Sequence, residues 1–179
     1  YDFGIGVNLG GVINGHVEFV PQMIAHGRGG HIVSTASLAA EVVMPEHLAI
    51  YAASKAAVCH YCEAVKGVLG TKGIGVSILL PGPVKSRIHE ASENRPEQFR
   101  AESGYKASEE RLSRRIVGDD WMEPVEVGNL VADGILSNAT YLITHGVFRP
   151  GMQARFDAVM AAVPDRVESL PDFGRYREE

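Results

Sequence analysis

Ile74-Gly75-Val76-Ser77-Ile78-Leu79-Leu80 is a near-continuous apolar run, preceded by Gly70 and Gly73 and broken by Pro81-Gly82-Pro83. A strand with one wet face alternates apolar and polar residues; a run without alternation reads as a parallel strand covered on both faces. Residues 51–69 ahead of it carry a helical pattern with an Ala-rich start suited to close helix contact. Further back, His31 to Thr35, with Ile32 and Val33, reads as a short buried strand behind the turn Gly27-Arg28-Gly29-Gly30. From Phe3 to Ile24, apolar residues recur at helical spacing: Ile5, Leu9, Val12, Ile13, Val20, Met23 and Ile24. Helix, strand, helix, strand predicts an α/β fold with a parallel sheet.

The first helix contains Gly4, Gly6, Gly10, Gly11 and Gly15, each costing up to ~1 kcal/mol relative to Ala, so close tertiary packing is expected to hold it. Pro21 is expected to bend it near its end. Beyond Pro83, residues 85–118 are polar and charged, with weak helical signals around Gln98 and over 109–116, and read as a flap. Pro124 opens a helix through Leu136, residues 141–144 form a short last strand, and Pro150 opens a helix carrying Met152, Phe156, Val159 and Met160. The expected division is one domain over 1–163 containing a flap at 85–122, then a loose tail over 164–179.

The chain has 179 residues, 45% hydrophobic and 22% charged, ordinary for one globular domain. Seventeen basic against 22 acidic residues give a net charge of −5, which argues against nucleic acid, a partner that needs a basic face. No stretch approaches the ~18 uninterrupted apolar residues of a spanning helix, and no basic region precedes an apolar run at the N-terminus. Cys59 and Cys62, three apart in a helical pattern, make a poor disulfide framework, so a cytoplasmic location is expected. They also make a poor zinc half-site, since no second pair follows, and no metal is expected. His16, His26, His31, His89 and His145 are scattered and read mostly as surface or capping residues. The chain starts at Tyr1 with a helical pattern almost at once, which reads as a cut start.

Tyr51-Ala52-Ala53-Ser54-Lys55 places a phenol and an ammonium one helical turn apart on one face. A phenol of ordinary pKa, about 10, is a poor proton shuttle near neutrality. Lowering one by about three units takes ~4 kcal/mol of differential stabilisation, and a nearby ammonium favours the phenolate. Lys55 is placed to supply that charge. Ser37 closes the first strand, at the end of the sheet where open α/β folds bind ligands, and its hydroxyl suits a substrate oxygen. Asn8 lies in the first helix, where a side-chain amide is a mediocre choice. A Tyr-x-x-x-Lys pair alone occurs by chance on many helices, packed and solvated respectively; its surroundings decide against that reading. A nucleophile-elbow hydrolase is discounted, because Ser34 and Ser37 lack the flanking glycines. Gly4-x-Gly6-x-x-x-Gly10 lies inside a helical pattern instead of opening one after a strand, so it is not read as a phosphate loop.

Val7-Asn8-Leu9-Gly10, Gly30-His31-Ile32-Val33-Ser34-Thr35-Ala36-Ser37, Tyr51-Ala-Ala-Ser-Lys55 and Pro81-Gly82-Pro83-Val84-Lys85-Ser86, in that order, resemble the short-chain dehydrogenase/reductase family over residues 1 to about 144. The resemblance implies a Rossmann-like, doubly wound parallel sheet, represented here by its C-terminal portion. It implies that Tyr51 exchanges the substrate hydroxyl proton, Ser37 holds that oxygen, Lys55 binds the nicotinamide ribose with Tyr51, and Asn8 positions a water linking Lys55 to solvent. Pro81, Gly82, Val84 and Ser86 would frame the nicotinamide; Ser86 stands where the family often has threonine. The family's Gly-rich loop, its cofactor-selecting residue and its Asn-Asn-Ala-Gly stretch would precede Tyr1, so the isolated chain is expected to lack the main phosphate anchor and activity. In this family the helices matching 1–26 and 51–69 pair across a dimer interface, which implies a homodimer or homotetramer, with Gly10, Gly11, Ala56 and Cys59 permitting close contact.

Gly27-Arg28-Gly29-Gly30-His31-Ile32-Val33, the stretch from Pro83 to Glu90, Asn94-Arg95-Pro96-Glu97-Gln98-Phe99-Arg100, Asp120-Trp121-Met122-Glu123-Pro124 and Thr144-His145-Gly146 further resemble the bacterial Cα-dehydrogenases of lignin β-aryl ether breakdown. That subgroup favours NAD, with NADP left open, and implies a benzylic secondary alcohol, with Met44, Pro45, His47, Ile50, His89 and Trp121 as pocket walls. Two other readings stay open: a non-catalytic fragment whose long helices serve association, and a catalytically silent relative that binds a dinucleotide or small aromatic ligand.

Overall fold

The computed structural model describes residues 2–91, 95–99 and 121–165. Three consecutive helical segments, α1 (Asp2–Ile5), a π-helical segment (Gly6–Gly10) and α2 (Gly11–His26), follow one another with helical dihedrals at both junctions. Gly27, at φ 65°, caps the end in the left-handed region that glycine enters without penalty. Then come β1 (Gly30–Thr35), 3-10 turns at Leu38–Ala40 and Glu46–Leu48, α3 (Ala49–Gly70) and β2 (Ile74–Leu80). After β2, 3-10 turns occupy Ile88–Glu90 and Glu97–Phe99. The chain continues through α4 (Pro124–Ser137), β3 (Tyr141–Ile143), a 3-10 turn and α5 (Arg149–Ala161). Pro21 sits inside α2, which runs five residues past it to His26.

The strands form one parallel sheet in the order β1-β2-β3. Gly30 through Thr35 pair with Ile74 through Leu79, and Ile78, Leu79 and Leu80 pair with Tyr141, Leu142 and Ile143. β2 is thus the central strand of the described sheet, as its unbroken apolar run requires. Side chains alternate across a strand. Ile74, Val76, Ile78 and Leu80 join Val58, Cys59, Cys62 and Leu69 of α3 in the core, which Leu9, Val12, Val20 and Met23 of the first helices cover in part. On the opposite face, buried Ser77 bonds His31 and the Ala139 carbonyl, and Gly134 of α4 packs on Leu142. Helices therefore cover both faces of the three-stranded parallel sheet, the doubly wound arrangement.

The glycines of the first helix are only partly explained by close packing within the chain. A Cβ on Gly4 would lie 3.2 Å from Ile50, whereas one on Gly6, Gly11 or Gly15 would meet nothing within 4 Å. Glycine is required at Gly29, where φ is 68° and an added Cβ would lie 2.7 Å from the Gly73 carbonyl oxygen. Of the expected flap over 85–122, residues 92–94 and 100–120, with the helical signal at 109–116, lie outside the described residues, as does the expected tail from 166 onward. α4 begins with a capping box between Glu123 and Glu126 and with Pro124 in its first turn, the start signal that the sequence carries.

Cys59 and Cys62 are free and buried. Burial, and then the charges of Glu41 and Glu63, push the Cys59 thiol up to about 12. Two outcomes follow from this core. Ile78→Ala, at a fully buried position, should cost about 2–5 kcal/mol in urea unfolding. The native state also holds the Cys59 proton that an unfolded chain releases above about pH 8.5, so stability should fall as pH rises from there toward 12. Cys59→Ala should flatten that decline, with Tyr141, raised to about 12 chiefly by its hydrogen bond to Glu63, supplying what remains.

Candidate active site

The C-terminal ends of β1 and β2 are tied together beyond the strands. Ala36 N–H donates to the Leu79 carbonyl and Leu38 N–H to the Pro81 carbonyl, so the segment around Ser37 and the Pro81-Gly82 turn are held side by side. Ser37 is buried, and its hydroxyl oxygen accepts from Ala39 N–H at 3.1 Å, capping the turn that follows. Its hydroxyl proton remains available to an incoming oxygen.

α3 starts at this same end of the sheet, with Tyr51 in its first turn and Lys55 one turn on. Lys55 Nζ lies 6.0 Å from the centroid of the Tyr51 ring and donates to the Thr35 carbonyl at 2.9 Å. Burial lowers the pKa of Lys55, partly offset by Cys59. The ammonium is thus held where it is costly. An ammonium has three donors and Thr35 takes one, leaving two for ligand oxygens. Asn8 lies in the π segment, and its Nδ2 donates to Ser54 Oγ at 2.9 Å; Ser54 Oγ in turn donates to the Tyr51 carbonyl at 2.7 Å. Asn8 and Lys55 both line an open groove of about 660 Å³ between α2 and the outer edge of β1, together with His16, Ser34 and Thr35.

Gly82 N–H donates to Thr144 Oγ1 at 2.9 Å, and Thr144 Oγ1 is also 2.6 Å from His145 Nδ1. A Cβ on Gly82 would lie 2.7 Å from that ring nitrogen, so the turn presses directly on His145. Val84 forms a parallel bridge with Met122, Lys85 N–H donates to the Met122 carbonyl, and Lys85 pairs with Glu123. Met122, which follows half-buried Trp121, is thereby brought beside Val84 from 38 residues away in sequence. Ser86 is exposed, and its hydroxyl accepts from Ile88 N–H. Met44, Pro45, His47 and Ile50 lie on the approach to α3, immediately before Tyr51, with Pro45, His47 and Ile50 exposed and Met44 half-buried. His89 belongs to the turn Ile88–Glu90, and its side chain lies outside the described residues.

Sequence reasoning missed three participants: the Thr35 carbonyl, Ser54 and Thr144. Ser54 carried one signal, a polar residue on an otherwise Ala-rich helix face; the other two act through register, which no local pattern encodes. His16 is an exception among the scattered histidines read mostly as surface or capping residues. It is buried, 3.3 Å from Ser34 Oγ and edge-on to Tyr61, and burial lowers its pKa. No cluster of metal-ligating side chains occurs among the described residues.

The family model described as short chain dehydrogenase matches residues 2–97. The C alpha-dehydrogenase of Sphingobium sp. (strain NBRC 103272 / SYK-6) is 41% identical over 181 residues, covering 100% of this chain and 58% of that protein. The crystal structure of the LigD apo form from Sphingobium sp. strain SYK-6 is 31% identical with a TM-score of 0.63, covering 93% of this chain and 55% of that one. A short-chain dehydrogenase/reductase from Burkholderia phymatum, solved in complex with NAD, is 30% identical with a TM-score of 0.80, covering 93% and 61%. The chain therefore spans little more than half the length of these relatives.

Thr144→Val keeps the shape of the side chain but removes the acceptor of Gly82 N–H, and should cost about 1 kcal/mol in urea unfolding. Equal stability of the variant and the parent would mean that the turn holds itself.

Proposed function

The chain belongs to the short-chain dehydrogenase family, and we propose that it is the catalytic part of an NAD(P)-dependent oxidoreductase acting on a secondary alcohol or ketone. The observation that carries this reading is the convergence of Ser37, Tyr51 and Lys55 at one end of the sheet, where Lys55 reaches across to the strand that leads into Ser37. In it Ser37 donates its free hydroxyl proton to the substrate oxygen, and Tyr51 exchanges the proton on that oxygen. Lys55 holds a positive charge 6.0 Å from the Tyr51 ring centroid and offers its remaining N–H groups to ribose hydroxyls.

The residues present fit a nicotinamide nucleoside: a half-buried ammonium with donors to spare, lining a groove, and a Pro81-Gly82 turn held by Thr144. Tyr51 and Lys55 would hold the ribose, with Pro81, Gly82, Val84 and Ser86 along the ring. When bound, the nicotinamide supplies hydride transfer to or from the substrate carbon. NAD is favoured by the Burkholderia structure, which contains it. Among the described residues no Gly-rich turn leads from a strand into a helix to bind a pyrophosphate. The outer edge of β1 is unpaired there and flanked by the groove, which supports further parallel strands alongside it in the whole protein.

A benzylic alcohol is the proposed substrate class, supported by the likeness to the C alpha-dehydrogenase. Met44, Pro45, His47, Ile50, His89 and Trp121 are the proposed pocket walls, within one domain over 1–163. Exposed Val17 and Ile24 on α2 and Val68 on α3 support self-association through the helices at 1–26 and 51–69. No described helix is long and apolar enough to cross a membrane, and a cytoplasmic location is proposed with it.

The test follows nicotinamide absorbance with a benzylic secondary alcohol, on this chain and on the full-length protein encoded at its native locus. Turnover in the full-length protein should fall by ~10²–10⁴ in Tyr51→Phe with folding intact. Undiminished turnover in that variant sinks the assignment of Tyr51, and absence of turnover in both parents favours the association or silent-relative readings.

A further inference from the structure

We infer that Ser54 is a positioning residue for the Tyr51–Lys55 pair, coupling the π segment of the first helix to the turn of α3 that carries both side chains. The inference rests on the proposed roles of Tyr51 and Lys55.

Ser54 is fully buried, and its one hydroxyl uses both of its capacities. It accepts from Asn8 Nδ2 at 2.9 Å and donates to the Tyr51 carbonyl at 2.7 Å. A serine bonding back to a carbonyl of its own helix is common and by itself carries no function. The second partner changes the reading, because it comes from another element 46 residues away. It also comes from the one π segment among the described residues, Gly6–Gly10. Such segments are rare, strained relative to the α-helix and concentrated at functional sites. An amide side chain in a helix interior is otherwise unfavourable, and here its N–H finds a dry, fixed acceptor.

The Tyr51 carbonyl is the acceptor that regular α-helix geometry assigns to Lys55 N–H. The Ser54 bond therefore lands on the peptide group that links the phenol-bearing and ammonium-bearing residues. Lys55 Nζ is anchored separately, on the Thr35 carbonyl of β1. Three elements, the first helix, β1 and α3, thus meet at one helical turn. Without the Ser54 hydroxyl, that turn would be joined to only one of the other two by hydrogen bonds among those described here. Its register against the groove shared by Asn8 and Lys55 would loosen.

The test uses the full-length protein with NAD and a benzylic alcohol. Ser54→Ala should lower kcat/KM by ~10- to ~100-fold and move the rising limb of its pH profile upward, because the Lys55 ammonium would no longer be held in register beside the proton-exchanging group. Ser54→Thr, which keeps the hydroxyl, should restore the position of that limb even where the added methyl lowers Tm. An unchanged pH profile in Ser54→Ala overturns the inference whether or not Tm falls, since a purely structural serine would move Tm alone. A folded Ser54→Thr that behaves like Ser54→Ala also overturns it. Tyr51→Phe separates the two levels: an active Tyr51→Phe defeats the proposed chemistry itself, whereas an inactive Tyr51→Phe beside a parent-like Ser54→Ala defeats only the role of Ser54. If the alcohol is not turned over, NAD affinity reads the same coupling through Lys55. Ser54→Ala should then weaken it by ~3- to ~10-fold, and unchanged affinity overturns the inference.

Discussion

The burial of β2 on both faces is the constraint on which everything else depends. Five of its seven side chains are apolar and sit against the core or under α4, and Ser77 is tolerated on the second face because His31 and the Ala139 carbonyl satisfy it. A strand so covered needs helices above and below and a partner along each edge. β1 and β3 supply the edges in parallel, which forces each return of the chain through a helix. Parallel strands also end together, so the turns after β1 and β2 emerge at the same edge of the sheet, and α3 begins there. The site is a by-product of that shared ending.

Within the site, backbone carbonyls do as much arranging as side chains. The Thr35 carbonyl receives Lys55, the Pro81 carbonyl receives Leu38 N–H, and the Tyr51 carbonyl receives Ser54. Each carbonyl oxygen has two lone pairs, so it can take such a bond beside any ladder or helix bond it already makes. The cost of holding an ammonium out of water at Lys55 is offset by this kind of contact.

The two cysteines and His16 show why chemistry-bearing residue types need tertiary context. Cys59 and Cys62 face the centre of the core, where desolvation keeps the thiols protonated and inert. His16, one of five scattered histidines read mostly as surface or capping residues, is buried against Ser34 and Tyr61. Nothing in its local pattern distinguished it, because its neighbours one helical turn on are exposed Phe19 and half-buried Val20.

The sequence by itself determined the elements and their order. Apolar periodicity, Gly27, Pro124 and the unbroken run of 74–80 each have a local physical meaning, and the observed strand Ile74–Leu80 coincides with that run. It also determined that Tyr51 and Lys55 share a helix face, since one turn of helix is local geometry. Tertiary structure decided the rest. Contacts such as Lys55 with Thr35, Asn8 with Ser54, Gly82 with Thr144 and Val84 with Met122 join residues 20 to 62 apart. They depend on strand register and helix placement, and those are set by how the whole apolar surface packs. The π segment likewise has no local code beyond the glycines around Asn8, and its side-chain bond from Asn8 to Ser54 spans 46 residues.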